Sequence, residues 1–452
     1  MKSRIVWKSS YAFYLAAIGS SFGLGNLWRF PYVVGSNGGG AFVLMYIVLA
    51  LLVGLPVLIA ELMLGQSTQR SCAMAFAKSG LKNRFSHPRI WRGFGWLSNA
   101  AVVLLISYYA VVSGWVFFFF LRFVGGVFNF EPFRLSRTFS FLMEKGWLQF
   151  LMSVAHLAVA GFIVSKGFRD GLERWVGFIM PVFGVLLFYL TIQALSLPGA
   201  EEALRFIFYP KFDNVSWESL IQVIGHVFFT LSIGMATMTV YGSYLKEDVN
   251  IPAAGFRVTL LDIFISLFSG MIIFPIVFTA GHAPGADPSV LFKTVPLLFD
   301  SLRIGKFFGV AFFLCLYLAA LGATIGLLEA AVCDLVDRRS MGRRRSSWMM
   351  VVLLSTLAFF PAFSSSLFRN IQYQGMSLLQ LLDSILINAV LPLVGLGVAL
   401  AIGFSSDDAM RFRYFRDLDS VRPRWIYRQW LFILKFVVPI LIGVAMILRW
   451  VS

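Results

Sequence analysis

Apolar runs of membrane length recur along this 452-residue chain, and they constrain its fold more than any other feature. Runs of roughly 17 to 30 residues lie near 10–34, 40–66, 93–122, 148–165, 172–197, 218–245, 256–282, 306–337, 347–363, 376–404 and 429–450. A hydrocarbon core offers the backbone no water to bond, so each run must satisfy its own amides and carbonyls as a helix. The expected fold class is an all-α polytopic membrane protein with about 11 transmembrane helices. Hydrophobic residues make up 59% of the chain and charged residues 13%, more apolar surface than a water-soluble domain can hide.

The formal net charge of +16 would suggest nucleic acid in a soluble protein, but its distribution has another origin. With the N-terminus inside, about 25 of the 38 Lys and Arg fall on the cytoplasmic side and about 11 outside. They cluster from Arg70 to Arg92, Arg338 to Arg345 and Arg411 to Arg428, and leave Arg29 and Lys435 inside runs. The asymmetry orients the chain with a cytoplasmic N-terminus, and its partner is a lipid bilayer rather than a nucleic acid. The first run follows Lys2, Arg4 and Lys8 but lacks a small-residue cleavage site, so it reads as a retained helix and not a signal peptide. Cys72, Cys315 and Cys333 fall in a cytoplasmic loop, a run and a cytoplasmic helix end, which leaves no exterior disulfide. No metal-ligand spacing or phosphate-cradling glycine loop appears, and no nucleophile, base or acid pair gathers at one membrane face. Neither ATP-driven transport nor an enzyme is expected.

Inside the first run stands Gly19-Ser20-Ser21-Phe22-Gly23-Leu24-Gly25-Asn26-Leu27-Trp28-Arg29-Phe30-Pro31. Close helix packing explains glycines such as Gly125-Gly126 or Gly395 and Gly397, because small residues let backbones approach. It does not explain Asn26 and Arg29, since polar and charged groups at membrane depth mark functional sites. The sixth run repeats the pattern in Phe228-Phe229-Thr230-Leu231-Ser232-Ile233-Gly234-Met235-Ala236-Thr237. Two interrupted helices in corresponding places point to a transporter built from a 5+5 inverted repeat with helices 1 and 6 broken. Residues 1–452 then form one transmembrane domain, with repeats at about 10–197 and 218–404 and an extra helix at about 429–450.

GLGNLWRFPY at 23–32, NGGGAF at 37–42, Tyr108-Tyr109, GHVFFTLSIG at 225–234 and Leu328-Glu329 together resemble the neurotransmitter:sodium symporter family, in its eleven-helix bacterial amino-acid branch. The resemblance runs from Trp7 to the last helix. It implies that a substrate carboxylate sits on the amides of Leu24 and Gly25 and on the Tyr109 hydroxyl, as anions do at helix N-termini. Gly23 stands where the family's monoamine carriers place an aspartate, which favours an amino acid. The implied side-chain pocket is Ser20, Leu105, Phe229, Ser232, Met235, Ala236, Thr324 and Leu327, suited to a neutral, hydrophobic side chain.

By the same resemblance a first sodium site falls on the Ser21 carbonyl, Asn26, Thr230 and the substrate carboxylate, with Asp262 where many members carry Asn. A second site keeps the carbonyls of Gly19, Phe22 and Ala319, but its two hydroxyl positions are Gly322 and Ala323. Thr324 is about 100° further round the helix. The second site is expected to be weak or absent. His226 replaces an anion-coordinating Gln beside Tyr46, Thr230 and Ser266, where it serves as a neutral donor, holds chloride, or exchanges a proton with Asp262. The chloride requirement stays open. Arg29 with Asp383 would close the outside, and Arg4 with Asp337, near Trp7 and Tyr244, the cytoplasmic side. Gly171 and Pro181 reproduce a spacing at which the fifth helix breaks to admit water. The implied function is sodium-coupled symport of an amino acid by alternating access in a bacterial inner membrane. The alternatives are a proton-coupled or uncoupled carrier on the same fold, and a sensor that binds without transporting.

Overall fold

The computed structural model describes residues 4–79, 88–128, 137–213, 215–285, 290–301, 305–416 and 423–451. Residues 80–87 and 417–422, which carry parts of two basic clusters, lie outside the described residues. Among the described residues, nine helices are long and apolar enough to cross a membrane: α3 Gly40–Thr68, α4 Arg89–Val127, α5 Gly146–Ser165, α6 Phe168–Leu195, α9 Ile251–Thr279, α10 Gly305–Arg339, α11 Arg343–Ala362, α12 Leu378–Ser405 and α13 Pro423–Arg449. The two remaining apolar runs are each divided, into α1 Ser10–Ser21 and α2 Phe30–Ser36, and into α7 Trp217–Thr230 and α8 Thr237–Gly242. Windows of α4 and α10 are 78% buried and that of α13 only 22%, so α4 and α10 are central and α13 is peripheral. α10 packs against α4, α5, α6 and α1, which puts the break after α1 inside the bundle. All three cysteines are free and buried.

Each break has a local cause. Ser9 caps the start of α1 by accepting from the Ala12 amide. The helix closes at its other end with the Phe22 amide on the Ile18 carbonyl and the Gly23 amide folded back on Ser21. The chain restarts as a wide π-type turn over Gly25–Arg29 before α2. Beyond α7, Ser232, Gly234 and Ala236 have φ of 53°, 79° and 64°. Three left-handed residues in five cannot continue a right-handed helix, and at Ser232 and Ala236 the conformation costs strain as well.

At Gly234 a Cβ would stand 2.4 Å from the Leu391 carbonyl oxygen, a backbone atom that cannot step aside. Gly234→Ala is therefore expected to lower the thermal unfolding midpoint, at a cost of about 2 kcal/mol or more. An unchanged midpoint in detergent would contradict this origin of the break. α6 opens with a wide turn over Phe168–Glu173 and contains Pro181, yet it is continuous to Leu195. The helix expected to break between Gly171 and Pro181 is unbroken here.

Candidate functional site

The two breaks face each other. The Ser232 hydroxyl donates to the Ser20 carbonyl at 2.9 Å, and the Ser20 hydroxyl lies 3.3 Å from that of Ser232. Tyr109 reaches in from α4, where its hydroxyl accepts from the Leu24 amide at 2.9 Å. A Cβ on Gly23 would stand 2.3 Å from that hydroxyl and 2.9 Å from the Ala323 methyl, so a side chain at Gly23 has no room. The Phe229 ring lies against Gly25 and edge-on to Tyr109. Leu105, Met235, Ala236 and Leu327 are all buried. Thr324 departs from its expected place: its hydroxyl donates to the Ala320 carbonyl and meets His156 Nε2 of α5 at 2.8 Å. One residue is 100° of helix, and it is Ala323 that faces the break after α1.

Beside the breaks is a polar cluster around Asp262 of α9. Asn26 Nδ2 donates to Asp262 Oδ1 at 2.8 Å and to Ser266 Oγ at 2.9 Å. Tyr46 donates to Asp262 Oδ2 at 2.6 Å, with its hydroxyl 3.0 Å from Ser266. Two further oxygens here, Asn26 Oδ1 and Thr230 Oγ1, are buried without a hydrogen-bond partner. The Thr230 hydroxyl lies beside Asp262 and Tyr46, but it is in bonding geometry with neither. Buried acceptors are nearly always satisfied, so partnerless oxygens around a carboxylate fit a hard cation that prefers oxygen ligands.

The expected second cation position has different chemistry. A methyl on Gly322 would stand 3.1 Å from the Gly19 carbonyl oxygen and 2.8 Å from Met180 Cε. The Met180 sulfur and Val176 close the same gap from α6, lying 3.2 Å and 2.9 Å from where a Cβ on Gly19 would be. Hydrocarbon and thioether thus stand where a hard cation would need oxygen.

On the side away from the N-terminus, Arg29 Nε lies 3.5 Å from Asp383 Oδ2, and Tyr108 donates to Asp383 Oδ1 at 3.1 Å. Arg29 Nη1 also lies 3.4 Å from His226 Nδ1. The imidazole stacks on Phe30 and packs against Tyr46, with ring centroids 5.5 Å and 5.4 Å away. Here the structure corrects an expectation. Among the described contacts His226 has none with Asp262; the imidazole faces the gate arginine. The reason is geometric, since Tyr46 takes the carboxylate with its hydroxyl and meets His226 only with its ring.

On the N-terminal side, Arg4 Nη1 donates to Asp337 Oδ2 at 2.8 Å and to the Gln69 carbonyl at 2.9 Å, and its guanidinium lies 4.7 Å above the Tyr244 ring. Trp7 bonds the α8 end through the Tyr244 and Tyr241 carbonyls. Arg4 is thus a half-buried ion-pair partner. Two carboxylates here had no role in the sequence reading. Glu329 accepts from Tyr244 at 2.7 Å and pairs with Arg343, which also donates to the Val164 carbonyl. Glu61 of α3 accepts from the Gly234 amide at 2.7 Å and ties the break after α7 in place. Its signal was an acid inside an apolar run.

A model of the Sodium:neurotransmitter symporter family matches residues 4–131 and 123–452. The chain belongs to that family. It is 28% identical over 439 residues to YhdH, an uncharacterized sodium-dependent transporter of Bacillus subtilis, covering 97% of this chain and 96% of that one. It is 29% identical over 310 residues to the sodium-dependent neutral amino acid transporter SLC6A17 of Rattus norvegicus, which spans 61% of this chain and 41% of that one. The crystal structure of MhsT in complex with L-phenylalanine superposes with a TM-score of 0.90 at 32% identity, covering 98% and 99% of the two chains. The chain is a multi-pass, sodium-dependent transporter of this symporter family, which is a family of carriers and not of enzymes.

Proposed function

We propose that the protein is a sodium-coupled symporter of a neutral, hydrophobic amino acid, working by alternating access between the Arg29–Asp383 and Arg4–Asp337 gates. The observation that carries this reading is the set of buried, partnerless oxygens of Asn26 and Thr230 against the Asp262 carboxylate, beside two helix breaks that present amides. Asn26, Thr230, Asp262 and the Ser21 carbonyl hold one sodium ion, which travels as cargo. The substrate carboxylate takes the Leu24 and Gly25 amides with Tyr109, and its side chain lies among Leu105, Phe229, Met235, Ala236, Ala323 and Leu327. The MhsT complex with L-phenylalanine supports a bulky apolar side chain. Met180 in the gap at Gly322 supports a single sodium ion per substrate. The Asp262 carboxylate brings its own negative charge beside the cation, so chloride is not required. The N-terminus is cytoplasmic, the membrane is the bacterial inner membrane, and the helices form a 5+5 inverted repeat with α13 outside it.

Ligands that bind only the native state raise its stability with occupancy. Thermal unfolding of the purified protein with each of the twenty amino acids, in sodium, potassium and choline salts, is the test. Hydrophobic amino acids are expected to raise the midpoint in sodium alone, equally in chloride and gluconate. Stabilisation that is equal in choline would overturn sodium coupling, and a sigmoid sodium dependence would overturn the single ion.

A further inference from the structure

We propose that His226 positions the outer-gate arginine, and that its protonation opens the gate. The inference rests on the carrier reading for its meaning but on contacts around one imidazole for its content. A guanidinium carries only donors, so the 3.4 Å approach of Arg29 Nη1 makes His226 Nδ1 the acceptor and places the ring proton on Nε2. Nε2 is buried and has no partner. The neutral ring therefore holds Arg29 from one side while Asp383, itself held by Tyr108, holds it from the other. A proton added to His226 must go on Nδ1, the atom facing Arg29. It turns an acceptor into a donor, and it brings two positive charges together in a buried, weakly screened site.

Among the described contacts, no carboxylate meets the ring. From the first broken helix Arg29 and Phe30 face it; from α3, Tyr46 presents its ring; on α9, Asp262 and Ser266 are taken up by Tyr46 and Asn26. Asp383 of α12 is committed to Arg29 and Tyr108. Acid thus favours release of Arg29, and gate closure in turn favours loss of the proton, because the coupling is reciprocal.

The test is a distance measurement that needs neither substrate nor sodium. Spin labels at Ser36→Cys and Gln372→Cys, at the outer ends of the segments carrying Arg29 and Asp383, report opening by double electron–electron resonance; the native cysteines are buried. In sodium-free buffer, the ratio of open to closed distances is expected to rise about tenfold from pH 8 to pH 5.5, a coupling of ordinary allosteric size. His226→Gln and His226→Asn, which keep an acceptor but do not titrate, are expected to stay at the pH 8 ratio at both values. Asp262→Asn is expected to keep the wild-type pH response. A response that survives both His226 variants, that vanishes in Asp262→Asn, or that is absent from the wild type overturns the proposal. Failure to find a transported amino acid would leave these distances, and this conclusion, untouched.

Discussion

Asp262→Asn is expected to weaken sodium binding by about a hundredfold or more, on the order of 3 kcal/mol, because ligand charge sets the affinity of an oxygen cage. The substitution keeps size and shape: the one amide oxygen still accepts from Asn26, and the new NH2 faces the Tyr46 hydroxyl, which can turn to accept from it. What is lost is the one carboxylate among the cation's protein ligands. Sodium-dependent substrate binding would then require about a hundredfold more sodium. Titration of substrate binding against sodium at fixed ionic strength checks this, and a curve that overlays the wild type would remove Asp262 from the cation site. The same experiment separates coupling from folding, since thermal stability in the absence of sodium is expected to hold or rise once a buried charge is gone.

Arg343→Ala carries the second large effect. Glu329 is fully buried, and its charge is met by Arg343 and by the Tyr244 hydroxyl. Removing the guanidinium leaves that carboxylate nearly alone, a cost of about 3–5 kcal/mol to this conformation, in which the Arg4–Asp337 pair is made. The closed population is expected to fall at least about a hundredfold relative to the inward-open one, with uptake collapsing in parallel. Labelling of the native Cys333, buried against Arg4 on that side, from the cytoplasm reads the population once Cys72 and Cys315 are replaced by Ala. The double variant Arg343→Ala/Glu329→Gln is expected to recover much of the loss, because it removes the stranded charge. A double variant as defective as the single would mean that Arg343 acts through its bond to Val164 and not through Glu329.

Much of this site was legible in the sequence where chemistry is concentrated in short segments. Glycine and hydroxyl residues in an apolar run announced both breaks, Asn26 and Arg29 stood out because polar and charged groups at membrane depth are costly, and Asp262 entered through the family resemblance. What stayed hidden depends on which helix faces which. Glu61 lies about 170 residues before the break it secures, and Arg343 sat in a basic cluster that orientation alone already explained. Thr324 and Ala323 differ by one position and hence by 100° of helix, enough to turn a hydroxyl from the pocket to His156. His226 was recognised as unusual, yet its partner followed from the direction of one ring, which no spacing encodes.

Uptake of radiolabelled phenylalanine into proteoliposomes, under an imposed inward sodium gradient with membrane potential clamped, tests sodium-coupled amino-acid transport most directly. Phenylalanine is expected to accumulate above its external concentration, and the sodium gradient that just balances the substrate gradient should correspond to one ion per molecule. Uptake that merely equilibrates, or that accumulates equally when sodium is replaced by choline, would contradict it.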